Sequence, residues 1–247
     1  RSVLLPLAVG YHFGGRARQK NSRLRQLLAA NLLKALLVLS FGLSYLFLEL
    51  FFGAAEALGA RQALVKVALY SALFLVYPVF LLGQTIPIMS NYFSKASLSR
   101  ATGAILFFST IGSFLGSVFS TLVLMMFVGV HNTVIFTLLL LFVAIVIVRQ
   151  SFLSSHSVVA FLLLVMVIIS NKTSTLEKAG IIANNAYSTI SVQENKKENT
   201  RSMLVNRSLS SRIGDDAGDR FSYIAYIEDN FIYSYKGQRP LDILVIG

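Results

Sequence analysis

The sequence contains no cysteine, which excludes a disulfide framework, a thiolate metal site and a cysteine nucleophile. Charged residues are scarce, at 13% of the chain, against about 25% in ordinary soluble domains. Hydrophobic residues make up 55% of the 247 residues, more than a soluble fold of this length needs. This composition indicates a membrane protein.

Acidic residues are nearly missing from the first part of the chain. Residues 1–170 carry 12 Lys and Arg but only 2 Asp and Glu, whereas residues 171–247 carry 10 and 9. The basic excess therefore belongs to the loops of a membrane domain, and no nucleic-acid partner is expected. A metal site is not expected either, because His12, His131 and His156 are far apart in the sequence. The sequence also has no P-loop and no nucleophile elbow.

Long apolar runs predict a multi-spanning helical bundle over residues 1–170. A partial span at the N-terminus precedes five full spans, at 27–52, 64–89, 102–128, 133–148 and 152–170. We expect an integral membrane protein, with the lipid bilayer as its first partner. Because the chain starts without Met and stops just after an apolar strand, both ends are expected to be cut.

The loop at 11–26 has five basic residues and no acidic one, so it should face the cytoplasm. Five crossings then place the tail outside. A cytosolic nucleotide-type cofactor would require the tail inside, so the side of the membrane that holds the tail stays open.

Four local features, three in the predicted bundle and one just after it, suggest contacts or sites. Glu49 and Lys66 lie at similar depth in neighbouring spans, which predicts an ion pair. Two stripes of small residues in the third full span, one containing Gly112 and Gly116, predict the close approach of another helix. Gln84 lies between two prolines of the second full span, a weak indication of a transport site. Asn171 begins an Asn-Lys-Thr glycosylation sequon, a motif that often occurs by chance.

After residue 170 the pattern changes to short alternating runs. Residues 187–192 and 202–206 predict two strands joined across a polar turn at 196–199. Residues 219–230 predict a helix, and 241–247 predict a buried strand that ends in glycine. The connector at 171–240 is too small to bury a full core alone, so it should need a partner domain.

The order of motifs in the tail resembles the N-terminal β domain and first Rossmann strand of spermidine synthase. The segments are NAYSTISV (185–192), MLVNRSLSS (203–211), DRFSY (219–223) and DILVIG (242–247). The membrane part resembles the bacterial proteins that fuse such a domain to a membrane bundle, through GGR (14–16), LGQTIP (82–87) and RATG (100–103) followed by STIGS (109–113). The resemblance covers nearly the whole chain.

This resemblance implies a Rossmann-like domain beginning at 241–247 and an enzyme of polyamine biosynthesis anchored by several spans in a bacterial cytoplasmic membrane. The implied reaction is aminopropyl transfer from decarboxylated S-adenosylmethionine to an amine. Ser188 and Ser210 stand where the family has glutamines expected to touch the substrates, and Tyr223 is the candidate polyamine contact. Gly247 is implied to be the first glycine of the nucleoside-binding loop. No cofactor is expected to bind the present residues, which should be inactive alone.

Three functions remain open at this point. The first is the membrane-anchored transferase, with the missing Rossmann-like domain as a partner and a homo-oligomer as a further alternative. The second is a transporter or membrane binding protein whose tail is regulatory, because the loop around Gly14 and Arg16 also resembles the cytoplasmic loop of major-facilitator carriers. The third is a membrane scaffold whose α/β domain has lost catalysis.

Overall fold

The structure is a computed structural model that describes residues 4–17, 21–60, 62–93, 98–185, 187–206, 208–214 and 221–232. The chain divides into two compact units, Arg1–Leu176 (unit 1) and Glu177–Gly247 (unit 2). The predicted strand at 241–247, with Gly247, lies outside the described residues.

Unit 1 is helical. Its helices are α1 (Leu4–Gly15), α2 (Asn21–Gly42), α3 (Tyr45–Ala57), α4 (Ala63–Ser71), α5 (Tyr77–Gly83), α6 (Thr85–Phe93), α7 (Leu98–Phe119), α8 (Val130–Arg149) and α9 (Ser155–Asn171), and a short α10 (Thr173–Lys178) crosses the unit boundary. A π-helical segment, Ala72–Val76, joins α4 to α5, and another, Ser120–Val128, continues α7. Helices suit these apolar runs because a helix satisfies its backbone polar groups without water.

Four helical stretches among the described residues are long and apolar enough to cross a membrane. They are Ser22–Gly42, Ala63–Phe93, Ser99–Val128 and Val130–Arg149. The remaining predicted span, 152–170, corresponds to α9, which has 17 residues. At 1.5 Å per residue α9 is about 26 Å long, slightly less than the hydrocarbon core of about 30 Å.

The predicted span at 27–52 is wrong in its second half, because α2 ends at Gly42 and a separate helix begins at Tyr45. Gly42 packs so closely against Phe74 that a Cβ at this position would lie 2.6 Å from the ring. The backbone at the break is bound by Asn171 of α9, which accepts a hydrogen bond from the Tyr45 amide at 3.0 Å and donates one to the Leu43 carbonyl at 3.1 Å. Asn171 is 2% exposed, so its sequon is closed to glycosylation in this fold.

The core of unit 1 is organised around α2. Leucines four residues apart form a buried stripe on this helix at positions 24, 28, 32 and 36. They pack with Ile88 of α6, Leu138 and Ile145 of α8, and Leu164 of α9. Residues four apart lie on one helix face, so this stripe brings three helices against α2.

α1 approaches α5 and α6 through two glycines. A Cβ on Gly10 would lie 2.5 Å from the Phe80 carbonyl oxygen, and one on Gly14 would lie 2.6 Å from Pro87 Cγ and 2.8 Å from the Gln84 carbonyl oxygen. Gly15, by contrast, has no atom within 4 Å of this position. The glycines therefore allow backbone contact that larger residues would prevent.

Gly112 and Gly116 of α7 make no close helix contact of this kind with the described residues. None of the most apolar window of Ser99–Val128 is buried. Positions where Gly112 and Gly116 would carry a Cβ have nothing within 4 Å. The helix neighbour that the small-residue stripes predict is therefore not among the described residues.

Unit 2 contains a four-stranded antiparallel sheet in the order β1 (Ile181–Asn184), β2 (Thr189–Asn195), β3 (Thr200–Val205) and β4 (Ser208–Ile213). The predicted hairpin is confirmed as β2 and β3, with Asn195 opposite Thr200 across the turn at 196–199. β1 and β4 were not predicted from the sequence. The predicted helix at 219–230 corresponds to α11 (Ser222–Ile227) and a π-helical turn at Glu228–Ile232.

Candidate functional site

Two of the predicted substrate-binding residues meet in unit 2. Tyr223, in the first turn of α11, points its hydroxyl toward the carbonyl oxygen of Ser210 in β4, at 3.4 Å. The ring of Tyr223 stacks on Phe221, with centroids 5.9 Å apart and planes inclined by 27°. Tyr223 remains 55% exposed, so a ligand can reach this residue from solvent.

Ser188 lies elsewhere on the sheet. It precedes β2, and its amide donates a hydrogen bond to Oδ1 of Asn185 at 3.0 Å. β3 separates β2 from β4, so Ser188 and Ser210 are two strand spacings apart, about 10 Å across the sheet alone. The structure thus brings Tyr223 and Ser210 together, does not bring Ser188 to them, and does not describe Gly247.

The end of the sheet near the β2–β3 turn carries a polar cluster that the sequence did not indicate. Arg212 of β4 donates to Glu198 at 2.7 Å and to the Thr200 hydroxyl at 3.4 Å, and Glu194 pairs with Arg201 at 2.8 Å. An open cavity of about 380 Å³ lies against this end of the sheet. Because β4 was not predicted, nothing in the sequence placed Arg212 beside the turn. Exposed ion pairs of this kind contribute little to stability.

In unit 1, Gln84 lies at the turn between α5 and α6 and accepts a hydrogen bond from the buried Asn31 of α2 at 3.0 Å. Asn31 is 4% exposed. The next residue, Thr85, has a buried Oγ1 that has no hydrogen-bond partner in the described part of the chain. The interruption of this span is therefore tied to the central helix by a hydrogen bond between two side-chain amides.

The predicted ion pair between Glu49 and Lys66 is wrong, because Lys66 pairs with a different glutamate. Lys66 Nζ pairs with Glu56 Oε2 at 2.8 Å, while Glu49 accepts a hydrogen bond from the Tyr45 hydroxyl at 2.7 Å. α3 continues to Ala57 and brings Glu56, two turns beyond Glu49, next to α4. The hydrogen bond from Lys66 and its positive charge hold the pKa of Glu56 below its ordinary value.

No grouping of three or more metal-ligating side chains occurs within the described ranges. Ser210, Tyr223 and Phe221 instead form a small surface that could hold an amine by hydrogen bonding and by contact with an aromatic ring. Comparisons with protein-family models, with curated proteins and with solved structures gave no match to this chain. The family resemblance therefore stays a prediction.

Proposed function

We propose that the chain belongs to a membrane-anchored, spermidine-synthase-like transferase, in which unit 1 is the anchor and unit 2 supplies part of the amine-binding surface. The single observation that carries the proposal is the order of elements in unit 2. An antiparallel sheet built on the predicted hairpin is followed by a helix that places Tyr223 at Ser210. This order is the one that the motif resemblance implies.

The exposed apolar residues of unit 2 further support a partner domain. Among its described residues, Ile181 and Thr200 alone are less than one-tenth exposed. Tyr226, Phe231 and Ile213 are each more than half exposed. A unit with so little buried area gains stability when another domain covers it. A Rossmann-like domain following the sheet and helix would provide that cover.

The proposed reaction is displacement at a carbon activated by a sulfonium ion. The lone pair of a neutral amine forms the new C–N bond while the C–S bond breaks and its electron pair neutralises the sulfur. Methylthioadenosine leaves, and the product ammonium loses one proton to solvent or to a base. In this scheme the Tyr223 hydroxyl donates its proton to the Ser210 carbonyl, which restrains the ring, and its oxygen orients the amine by accepting a hydrogen bond from the amine N–H.

The interrupted spans favour anchoring over transport. The α2–α3 break is bound by Asn171, and the α5–α6 turn is bound by Asn31. Transport sites at broken helices instead present backbone and polar groups to a substrate. At these two interruptions Asn171 binds backbone groups and Asn31 binds the Gln84 side chain, so those polar groups are engaged by other helices.

The test uses the full-length protein, including any residues beyond Gly247, purified in detergent. It is incubated with decarboxylated S-adenosylmethionine and a panel of diamines, and methylthioadenosine is quantified by liquid chromatography. Product that depends on an amine supports the proposal. No product with any amine, from protein that elutes as a folded species, contradicts it.

The matched pair Tyr223→Phe and Tyr226→Phe locates the site. Both tyrosines lie on α11 and are largely exposed, but Tyr223 alone of the two reaches Ser210. Loss of one neutral hydrogen bond to the amine should raise the KM of the Tyr223→Phe enzyme about two- to tenfold. The Tyr226→Phe enzyme should behave as the wild type. Equal KM values for both variants would remove Tyr223 from the amine site.

A further inference from the structure

Three basic side chains from three different helices converge on one open cavity in unit 1. Arg23 lies in the first turn of α2, Arg149 at the end of α8 and His156 in the first turn of α9. Together with Gln26, Leu27 and Ala30 they line a cavity of about 520 Å³. Arg25, two residues further along α2, donates to Gln150 at 2.9 Å and so ties the start of α2 to the end of α8.

This cavity has no nearby counter-charge in unit 1. The acidic residues of 1–170 are Glu49 and Glu56. Both follow the end of α2, and from Arg23 to Gly42 the helix rises about 28 Å. Arg23 has no hydrogen bond or ion pair to the residues that the structure describes, and the buried Nε of Arg149 likewise has no partner among them.

Arg23 also lies where the helix backbone opposes its charge. The N-terminal turn of a helix carries a partial positive charge, which disfavours the guanidinium of Arg23 in the first turn of α2 and favours an anion there and at the first turn of α9. The positive-inside tendency accounts for basic residues on this side of the bundle. It does not account for their convergence on a single cavity. An anion in the cavity would offset both the mutual repulsion and the two helix dipoles.

The surroundings of the cavity indicate a lipid as the source of that anion. Leu27 and Ala30 form its apolar wall. The loop between α8 and α9 presents Phe152 and Leu153, which are 74% and 90% exposed. Apolar side chains beside arginines at the ends of spanning helices suit the boundary between headgroups and acyl chains. A soluble phosphate would gain nothing from these apolar neighbours.

We infer that Arg23, Arg149 and His156 form a binding site for the phosphate of an anionic lipid headgroup. The guanidinium groups hold the phosphate oxygens, and the apolar wall contacts the upper part of the acyl chains. This inference does not depend on the proposed transferase activity, and a failure of either leaves the other standing.

The test exploits the absence of tryptophan from the chain. Phe152→Trp places a single fluorophore beside the cavity, and Phe114→Trp places one on the exposed surface of α7 as a control. Each variant of the 247-residue chain is reconstituted in vesicles of brominated phosphatidylglycerol or brominated phosphatidylcholine mixed with unlabelled lipid. Quenching of the Phe152→Trp protein should show a preference for phosphatidylglycerol of about fivefold or more. Quenching of the Phe114→Trp protein should show none.

Adding Arg23→Gln and Arg149→Gln to the Phe152→Trp protein should abolish the preference for phosphatidylglycerol. Lys172→Gln and Lys178→Gln remove an equal number of positive charges away from the cavity and should leave the preference unchanged. The unfolding temperature of the arginine variant in detergent is also measured, and a value equal to that of the parent Phe152→Trp protein shows that the bundle is still folded. Equal quenching of the Phe152→Trp protein by the two lipids, or a preference that survives the arginine changes, would overturn the site. Loss of the preference on adding inorganic phosphate would show a soluble phosphate site and overturn the assignment to lipid.

Discussion

Asn171 holds the amide of Tyr45 at 3.0 Å, and through this contact the end of α9 closes the break between α2 and α3. The same side chain donates to the carbonyl of Leu43 on the other side of the break. One amide thus satisfies two backbone groups that a continuous helix would have satisfied internally.

Replacing Asn171 should destabilise unit 1. In Asn171→Leu both backbone groups lose their partner in a buried site, which costs about 1–3 kcal/mol. Asn171→Asp keeps the acceptor for Tyr45 but loses the donor to Leu43 and places a charge in a buried site. Thermal unfolding in detergent measures both variants against Ser174→Ala, an exposed neighbour. An unfolding temperature for Asn171→Leu equal to that of the control would show that water serves these groups equally well.

The glycine contacts of α1 predict opposite outcomes for adjacent residues. Gly14→Ala brings a methyl group to 2.8 Å from a backbone oxygen of Gln84, and the resulting shift should cost about 1–3 kcal/mol. Gly15→Ala meets no atom within 4 Å and should be neutral or slightly stabilising, because alanine favours helix more than glycine does. Equal thermal stability of the two variants would contradict the close approach of α1 to α5 and α6.

The Asn31–Gln84 hydrogen bond predicts coupling between two helices. Asn31→Leu and Gln84→Leu should each destabilise the protein, and the double variant should lose less than their sum. Hydrogen bonds between membrane helices contribute about 0.6 kcal/mol on average and up to about 1.7 kcal/mol. A double-mutant cycle from unfolding in detergent measures the coupling. Strict additivity would mean that the two amides act independently.

The Glu56–Lys66 ion pair predicts a small pH dependence. The pKa of Glu56 is lower in the folded protein than in the unfolded chain, so the pair stabilises the fold above the ordinary glutamate pKa of 4.5 and this contribution is lost as the pH falls through the lower folded value. Glu56→Gln and Lys66→Gln should therefore lower the unfolding temperature slightly at about pH 6 and progressively less below pH ~4. A difference that grows with acidification would have the wrong sign for this pair.

The distribution of charge predicts the orientation of the bundle. Because the chain lacks cysteine, single variants can be labelled cleanly. Gln62→Cys should react with an impermeant maleimide in intact cells, and Ser151→Cys only after permeabilisation. Ser174→Cys reports on α9. Labelling of Ser174→Cys in intact cells means that α9 crosses the bilayer. Labelling only after permeabilisation, as for Ser151→Cys, means that it does not.

Much of the architecture was predictable because it follows from local patterns. Apolar runs predicted the long helices, and alternation around a polar turn predicted β2 and β3. β1 and β4 were missed because short strands such as Ile181–Asn184 and Ser208–Ile213 carry weak patterns of their own and form by pairing with a neighbour. In the candidate site, Tyr223 and Ser210 were named from motif order, but their contact and the distance of Ser188 depend on strand order.

By itself, the sequence determined that this is a chain of long apolar helices followed by a small mixed unit, with its acidic residues almost confined to the second part. These properties depend only on which residues are near one another along the chain. The tertiary structure alone decided that α2 stops at Gly42, that Lys66 pairs with Glu56, and that arginines from α2 and α8 meet a histidine of α9. Each of these depends on which helices pack together, because a buried polar or charged group takes its partner from whichever neighbour the fold brings within reach.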